Sequence, residues 1–212
     1  MATGTYTNAT QNSITDWLER GQVAPTPPAT RYYGIIVATR GLSGGIRSAA
    51  VALNDTVIPQ TPNGYIYKCT TAGTTGASEP TWPTTAAGTV TDGTAVWTEQ
   101  STAMRAGTFT EASYTGYARV AVTPSLTSMA GTQGAGTTLA SSGTSGQTSN
   151  NAAITFGAPS TANGYAFGWF RSTALTAGTI WDFGADTTPL AISAGGSAPQ
   201  YAISAFAIIP AN

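Results

Sequence analysis

The sequence predicts an all-β protein: a β-sandwich or jelly-roll with one short N-terminal helix and a small inserted β module. Three observations carry that expectation. Short runs of β-branched and aromatic residues recur along the chain, Gly- and Pro-rich turns separate them, and helical periodicity is readable once. The chain has 212 residues, 41% of them hydrophobic, enough for one large β domain or one domain carrying an insert.

The helix comes first. Asn12 or Ser13 can cap it, Ile14, Trp17 and Leu18 form an i, i+3, i+4 apolar stripe, and Gly21 stops it. Pro-rich Ala24–Thr30 reads as a stiff connector, and Arg31–Thr39 as a buried strand ended by the glycines of Gly41–Gly45. The texture then changes. In Gly64–Thr70 alternation places Tyr65, Tyr67 and Cys69 on one face and Ile66 and Lys68 on the other. Pro80, Trp82 and Pro83 make an aromatic corner, and Asp92-Gly93 signals a hairpin into Thr94–Thr98. The expected organisation is therefore a main β-sandwich domain from residues 1–53 plus 101–212, with residues 54–100 as the insert. Within the main domain Tyr117–Thr123 alternates cleanly, and Ala152–Phe156, Gly164–Arg171, Thr179–Phe183 and Tyr201–Ile209 read as four further strands. Gly131–Asn151 is almost devoid of apolar residues and reads as a long loop or arm.

Charge is scarce. Only 8% of residues are charged, against about 25% in an ordinary soluble domain. Thr, Ser, Asn, Gln and 25 Gly supply the polarity instead. Neutral groups can be covered by a partner without stripping water from ions, so the composition suits a permanent assembly. The net charge is −1 and the basic residues are scattered, which gives no cationic stripe for nucleic acid. No apolar run is long enough to span a bilayer as a helix, Met1–Arg20 lacks a signal-peptide core, and the free thiol of Cys69 fits synthesis in a cytoplasm. One cysteine, Cys69, excludes an intrachain disulfide.

Catalytic motifs are thin. The chain has no His, which removes Ser-His-Asp and Cys-His catalysis and the commonest transition-metal ligand. Gly41-Leu42-Ser43-Gly44-Gly45 matches a nucleophile-elbow pattern in form but reads as a glycine turn. Glycoside hydrolysis needs two carboxylates, about 5 Å or 6.5–9.5 Å apart. Asp92 is better read as a turn residue, Glu79 as a polar loop residue, and Asp182 and Asp186 as strand-end Asx turns. No enzyme activity, cofactor or metal is expected.

Two sets of residues are candidate binding groups. Tyr65, Tyr67, Trp82 and Trp97 in the insert can stack on sugar rings, or can be the core of a module too small to fold on aliphatics. Tyr117 and Arg119 are candidate subunit contacts, Arg119 as a planar fork of donors in mid-strand, or as a residue that simply faces solvent.

Asn63–Thr98 resembles a module recurring in tailed-phage virion and tail-fibre proteins. The resemblance rests on Gly64, Tyr67 and Cys69, then Ser78, Glu79, Pro80, Trp82 and Pro83, then Gly88, Val90, Asp92, Gly93 and Trp97. Such modules look adhesive, which implies carbohydrate binding. The rest of the chain resembles a family of small phage structural proteins of head-decoration or tail-fibre type. It does so through the short Leu/Trp helix, Pro28–Ala38, Gly116–Thr123, Ser149–Ala158 and the aromatic strand around Gly168–Phe170. The resemblance implies a non-enzymatic virion protein, in the first reading a capsid decoration (cement) protein on the outer head. Its partners would be the major capsid protein and further copies of itself, bridged by the arm Ala2–Gln11 and the loop Gly131–Asn151. The alternative is a tail-fibre or tail-associated adhesin that binds host surface glycan. Neither reading involves nucleic acid or membrane insertion.

Overall fold

A computed structural model describes residues 2–144 and 146–208. The chain opens with strand β1 (Ala2–Tyr6) and helix α1 (Asn8–Arg20), then β2 (Arg31–Ala38). Six short strands follow: β3 (Ala50–Val51), β4 (Thr56–Val57), β5 (Tyr67–Thr71), β6 (Gly73–Thr74), β7 (Thr89–Asp92) and β8 (Ala95–Glu99). After the single-turn helix α2 (Ser101–Arg105) come β9 (Val120–Val122), β10 (Thr148–Ser149) and β11 (Ile154–Thr155). The chain ends in β12 (Tyr165–Ser172), β13 (Ile180–Ala191), β14 (Gln200–Tyr201) and β15 (Phe206–Ile208). The all-β class read from the sequence is what the chain adopts.

The largest sheet has seven strands in the order β10-β15-β1-β13-β12-β2-β9. Only β1 and β15 run parallel within it. Ala2–Tyr6 is therefore not an arm extended toward a neighbour. It lies inside the sheet, and its backbone groups are taken up by β13 and β15. The sequence-predicted strand Tyr201–Ile209 divides into β14 and β15, in different sheets, and Ile209 lies outside the described residues.

Residues opposite one another on paired strands share a face, and two rows across the sheet show how the core is built. Gly4, Gly184, Trp169 and Ile35 form one. A Cβ on Gly4 would stand 2.5 Å from the Trp169 ring, so the glycine makes room for the indole to lie across the strands. Tyr6, Asp182, Arg171 and Tyr33 form the next row. There the Arg171 guanidinium bonds both carboxylate oxygens of Asp182, with both side chains buried.

Both faces of the sheet are covered. Tyr33, Ile35, Val37 and Trp169 pack beneath Ala112, Tyr114, Ile154, Phe156 and Ile192. Ile36, Ala38, Phe167 and Phe170 pack on the other side against Ile58, Ile66 and Met104. The insert thus sits on the large sheet through Ile66, the side of its strand opposite Tyr67 and Cys69, as alternation predicted. Its own four-stranded sheet runs β4-β5-β8-β7, and Ile46 and Val51, upstream of residue 54, belong to its core. Gly93 turns the β7–β8 hairpin at φ 65°, and a Cβ there would meet the Thr74 carbonyl oxygen at 2.2 Å.

Helix α1 departs from its expected attachment. It starts at Asn8 with Thr7 as N-cap and ends, as expected, at a left-handed Gly21. Of the Ile14, Trp17, Leu18 stripe only Ile14 turns toward the sheet, half-buried beside Tyr6 and Trp181, while Trp17 is 46% and Leu18 61% exposed. The helix is held by hydroxyls instead. Thr7 Oγ1 donates to the Ile180 carbonyl and Thr10 Oγ1 to the Trp181 carbonyl, each at 2.9 Å.

Candidate functional site

In the insert, Tyr67 and Trp82 have ring centroids 4.4 Å apart, and Trp82 meets Trp97 edge-on at 6.1 Å. Tyr67 and Trp97 are 0% exposed. The Tyr67 hydroxyl accepts from Asn63 Nδ2 and donates to the Pro83 carbonyl, both at 2.8 Å, and burial raises its pKa. A ring with no exposed face cannot stack on a sugar, so of the two readings Tyr67 and Trp97 take the core one and drop out as glycan-binding candidates. Tyr65 and Trp82 are half-buried and keep part of their surface. Trp82 is fixed by its Nε1–H, which donates to Glu79 Oε1 at 2.7 Å.

Tyr117 and Arg119 are also turned inward. Only Val120–Val122 of the expected strand pairs, and Arg119 precedes it. Its Nε and Nη2 donate to the two oxygens of Glu111 at 2.8 and 2.7 Å. Its Nη1 donates to the Ala174 and Ala177 carbonyls. The guanidinium lies over Phe170, 4.9 Å from the ring centroid. The Tyr117 hydroxyl donates to Glu111 Oε1 at 2.8 Å and accepts from the Ile35 N–H. The pair ties the 111–119 segment to β2 and to the loop after β12, and offers no free donor fork to a neighbour.

The acids are mostly structural. Asp92 does more than turn its hairpin, because Arg47 bonds both its oxygens at 2.8 and 2.9 Å. Glu79 is the hub of its corner and accepts from Ser43 Oγ, the Gln60 N–H and Trp82. Burial works against its charge, but those donors outweigh it and hold the carboxyl below its ordinary range. Glu99 accepts from the Ala87 N–H and from the Ser101 N–H and hydroxyl, which anchors the start of α2. Asp182 and Asp186 are not strand-end residues, since both lie within β13.

Asp186 is the exception. β13 pairs with β12 at Ala185↔Gly168 and again at Leu190↔Ala166, so four residues of β13 bulge opposite one of β12. The bulge holds Asp186, Thr187, Thr188 and Pro189. Beside it opens a cavity of about 310 Å³, lined by Ile35, Ala166, Asp186, Thr187, Pro199 and Tyr201 among others. Asp186 Oδ2 accepts from the Tyr201 hydroxyl at 2.9 Å. Burial pushes the Asp186 carboxyl up to about 7 against the opposing pull of that bond. It also raises the Tyr201 hydroxyl. Sequence reasoning missed this site. The available signal was a proline and three polar residues interrupting an apolar strand, which marks a bulge.

Among the described residues no group of three or more His, Cys, Asp or Glu is placed to hold a metal ion. Among the described residues no helix is long and apolar enough to cross a membrane. The class that fold and site define is an all-β protein in which most arginines are paired with acids of the same chain and a carboxyl-bearing cavity opens at the β13 bulge. No protein-family model, curated protein or solved structure matches the chain.

Proposed function

We propose that this chain is a non-enzymatic structural component of a bacteriophage virion, a capsid decoration protein that sits on the outer head and bridges neighbouring major capsid subunits. The carrying observation is where the few charges go. Five of the eight cationic side chains form ion pairs within the chain, and those of Arg119 and Arg171 are 7% and 4% exposed. What remains outside is largely hydroxyl, amide and apolar, with Leu126, Leu139 and Leu175 at least half exposed. A shell of identical copies can bury such a surface without desolvating ions, and many weak contacts then add up. A β-sandwich belongs to the same reading, and the packing of Ile154, Tyr201 and Tyr114 against the large sheet supports it. The likeness of Asn63–Thr98 and of the flanking strands to phage virion proteins supports the assignment.

Antibody-gold labelling of intact virions tests it. Gold over the whole head is the expected result, and the protein should stay on particles in molar salt because its contacts are neutral. Gold confined to the tail would replace this reading with the second one, a tail-associated adhesin. That reading is favoured by the surface that Tyr65 and Trp82 keep beside one another's module core.

A further inference from the structure

Two cavities of about 310 Å³ each flank the large sheet, and their carboxylates differ. In one, both oxygens of Glu111 are taken by Arg119, and Tyr117 adds a second bond. In the other, Asp186 gives only Oδ2 to Tyr201, and its Oδ1 has no hydrogen-bond partner among the described residues. We infer that the cavity at the β13 bulge is a binding site for a neutral polyhydroxylated molecule the size of a monosaccharide. This does not depend on where the protein sits in a virion.

The walls select the ligand class. Ile35, Ala166 and Pro199 offer an apolar surface, while Asp186, Thr187 and Tyr201 offer polar groups at its edge. A pyranose has the matching character, with a C–H face and a rim of hydroxyls that each donate and accept. Ligand cavities run from about 300 to 1,000 Å³, so this one is at the single-ring end. An anion finds no Lys or Arg in the lining, and a cation finds only one carboxylate. A purely apolar guest would leave Asp186 Oδ1 buried without a partner, which is costly. The carboxyl raised to about 7 serves hydroxyls near neutrality as donor or acceptor. The bulge that builds the cavity has no role in pairing β13 with β12, consistent with a strand irregularity kept for a site.

Saturation-transfer NMR on the full chain, with D-glucose, D-galactose and N-acetyl-D-glucosamine as probes, tests the inference. At least one sugar should give ring-proton signals. Asp186→Leu, similar in size but without a polar atom, should weaken that sugar about tenfold or more, the loss of one charge-assisted hydrogen bond. Tyr201→Phe, which keeps the ring and removes only the bond to Asp186, should weaken it less and covers the case in which the leucine variant does not fold. Trp82→Ala should leave it unchanged. Silence from all three sugars overturns the inference. So does a signal that survives Asp186→Leu and Tyr201→Phe, or one that disappears with Trp82→Ala, which would move the sugar to the insert.

Discussion

The large sheet and the insert both rely on an Arg–Asp pair bonded through both carboxylate oxygens, yet the pairs hold different things. In the large sheet Arg171 and Asp182 sit side by side on neighbouring strands, in a row with Tyr6 and Tyr33. Their side chains are 4% and 0% exposed. In the insert Arg47 reaches from the turn after Ser43 to Asp92 at the hairpin, and its side chain is 16% exposed. One pair is in the middle of a sheet that the whole chain must close; the other staples a local unit at its rim. The difference lies in what a broken pair leaves behind. A guanidinium at the rim can rotate toward water, whereas Arg171 cannot.

The largest effect should therefore come from Asp182→Ala, which leaves Arg171 buried and uncompensated. Breaking such a pair costs about 3–5 kcal/mol. The urea midpoint should fall by a corresponding amount, and Asp92→Ala should cost clearly less. Equal losses in the two variants would erase the distinction between a sheet-centre and a rim pair.

The same contrast explains what could be read in advance. The insert was legible because its register is set locally. Asp92-Gly93 turns one hairpin, and the alternation through Tyr67 and Cys69 correctly separated its own core from the Ile66 side facing the large sheet. The large sheet was legible as strands but not as an order. Its centre joins β1 to β13 and β15, pairings that span nearly the whole chain and leave no local pattern. Helix α1 misled for a related reason: an apolar stripe normally marks the buried side, but Thr7 and Thr10 already hold it through hydroxyls. The sites follow suit. Aromatic residues in a small module satisfy a core and a sugar platform equally well in sequence, and only burial separates them. Asp186 meets Tyr201 at the bulge, which a sequence marks only by Pro189 and the three polar residues before it.

Trp97→Ala comes next in size. Truncating a fully buried tryptophan costs about 3 kcal/mol or more, and Trp97 closes a cluster of seven buried residues in the insert. Because Trp97 belongs to the insert's own core and Ile58 and Ile66 to the cluster shared with the large sheet, the loss should stay local. Hydrogen exchange should show lost protection in β5 and β8 with β2 and β12 still protected. Loss of protection in all four strands would mean that insert and sheet fold as one unit.

The effects of pH separate the two regions by sign. Asp186, beside the large sheet, has a folded-state pKa of about 7, above its unfolded value near 3.9. The folded state therefore holds this proton more tightly than the unfolded one. Its contribution is fully present below the unfolded value and is lost as pH rises toward 7, by up to about 1.4 kcal/mol per pH unit. Glu79, in the insert, is held below its ordinary value, so its contribution is present at neutral pH and lost as pH falls through the folded pKa. Moving from pH 7 down to pH 4 should stabilise the sheet, and still lower pH should loosen the corner around Trp82. Asp186→Asn should flatten the first slope and leave the second, while Glu79→Gln should do the reverse. Thermal melts across that range, read together with tryptophan fluorescence, check both. A slope between pH 4 and 7 that persists in Asp186→Asn would mean that another group carries the linkage, and the sheet and the insert would then not titrate apart.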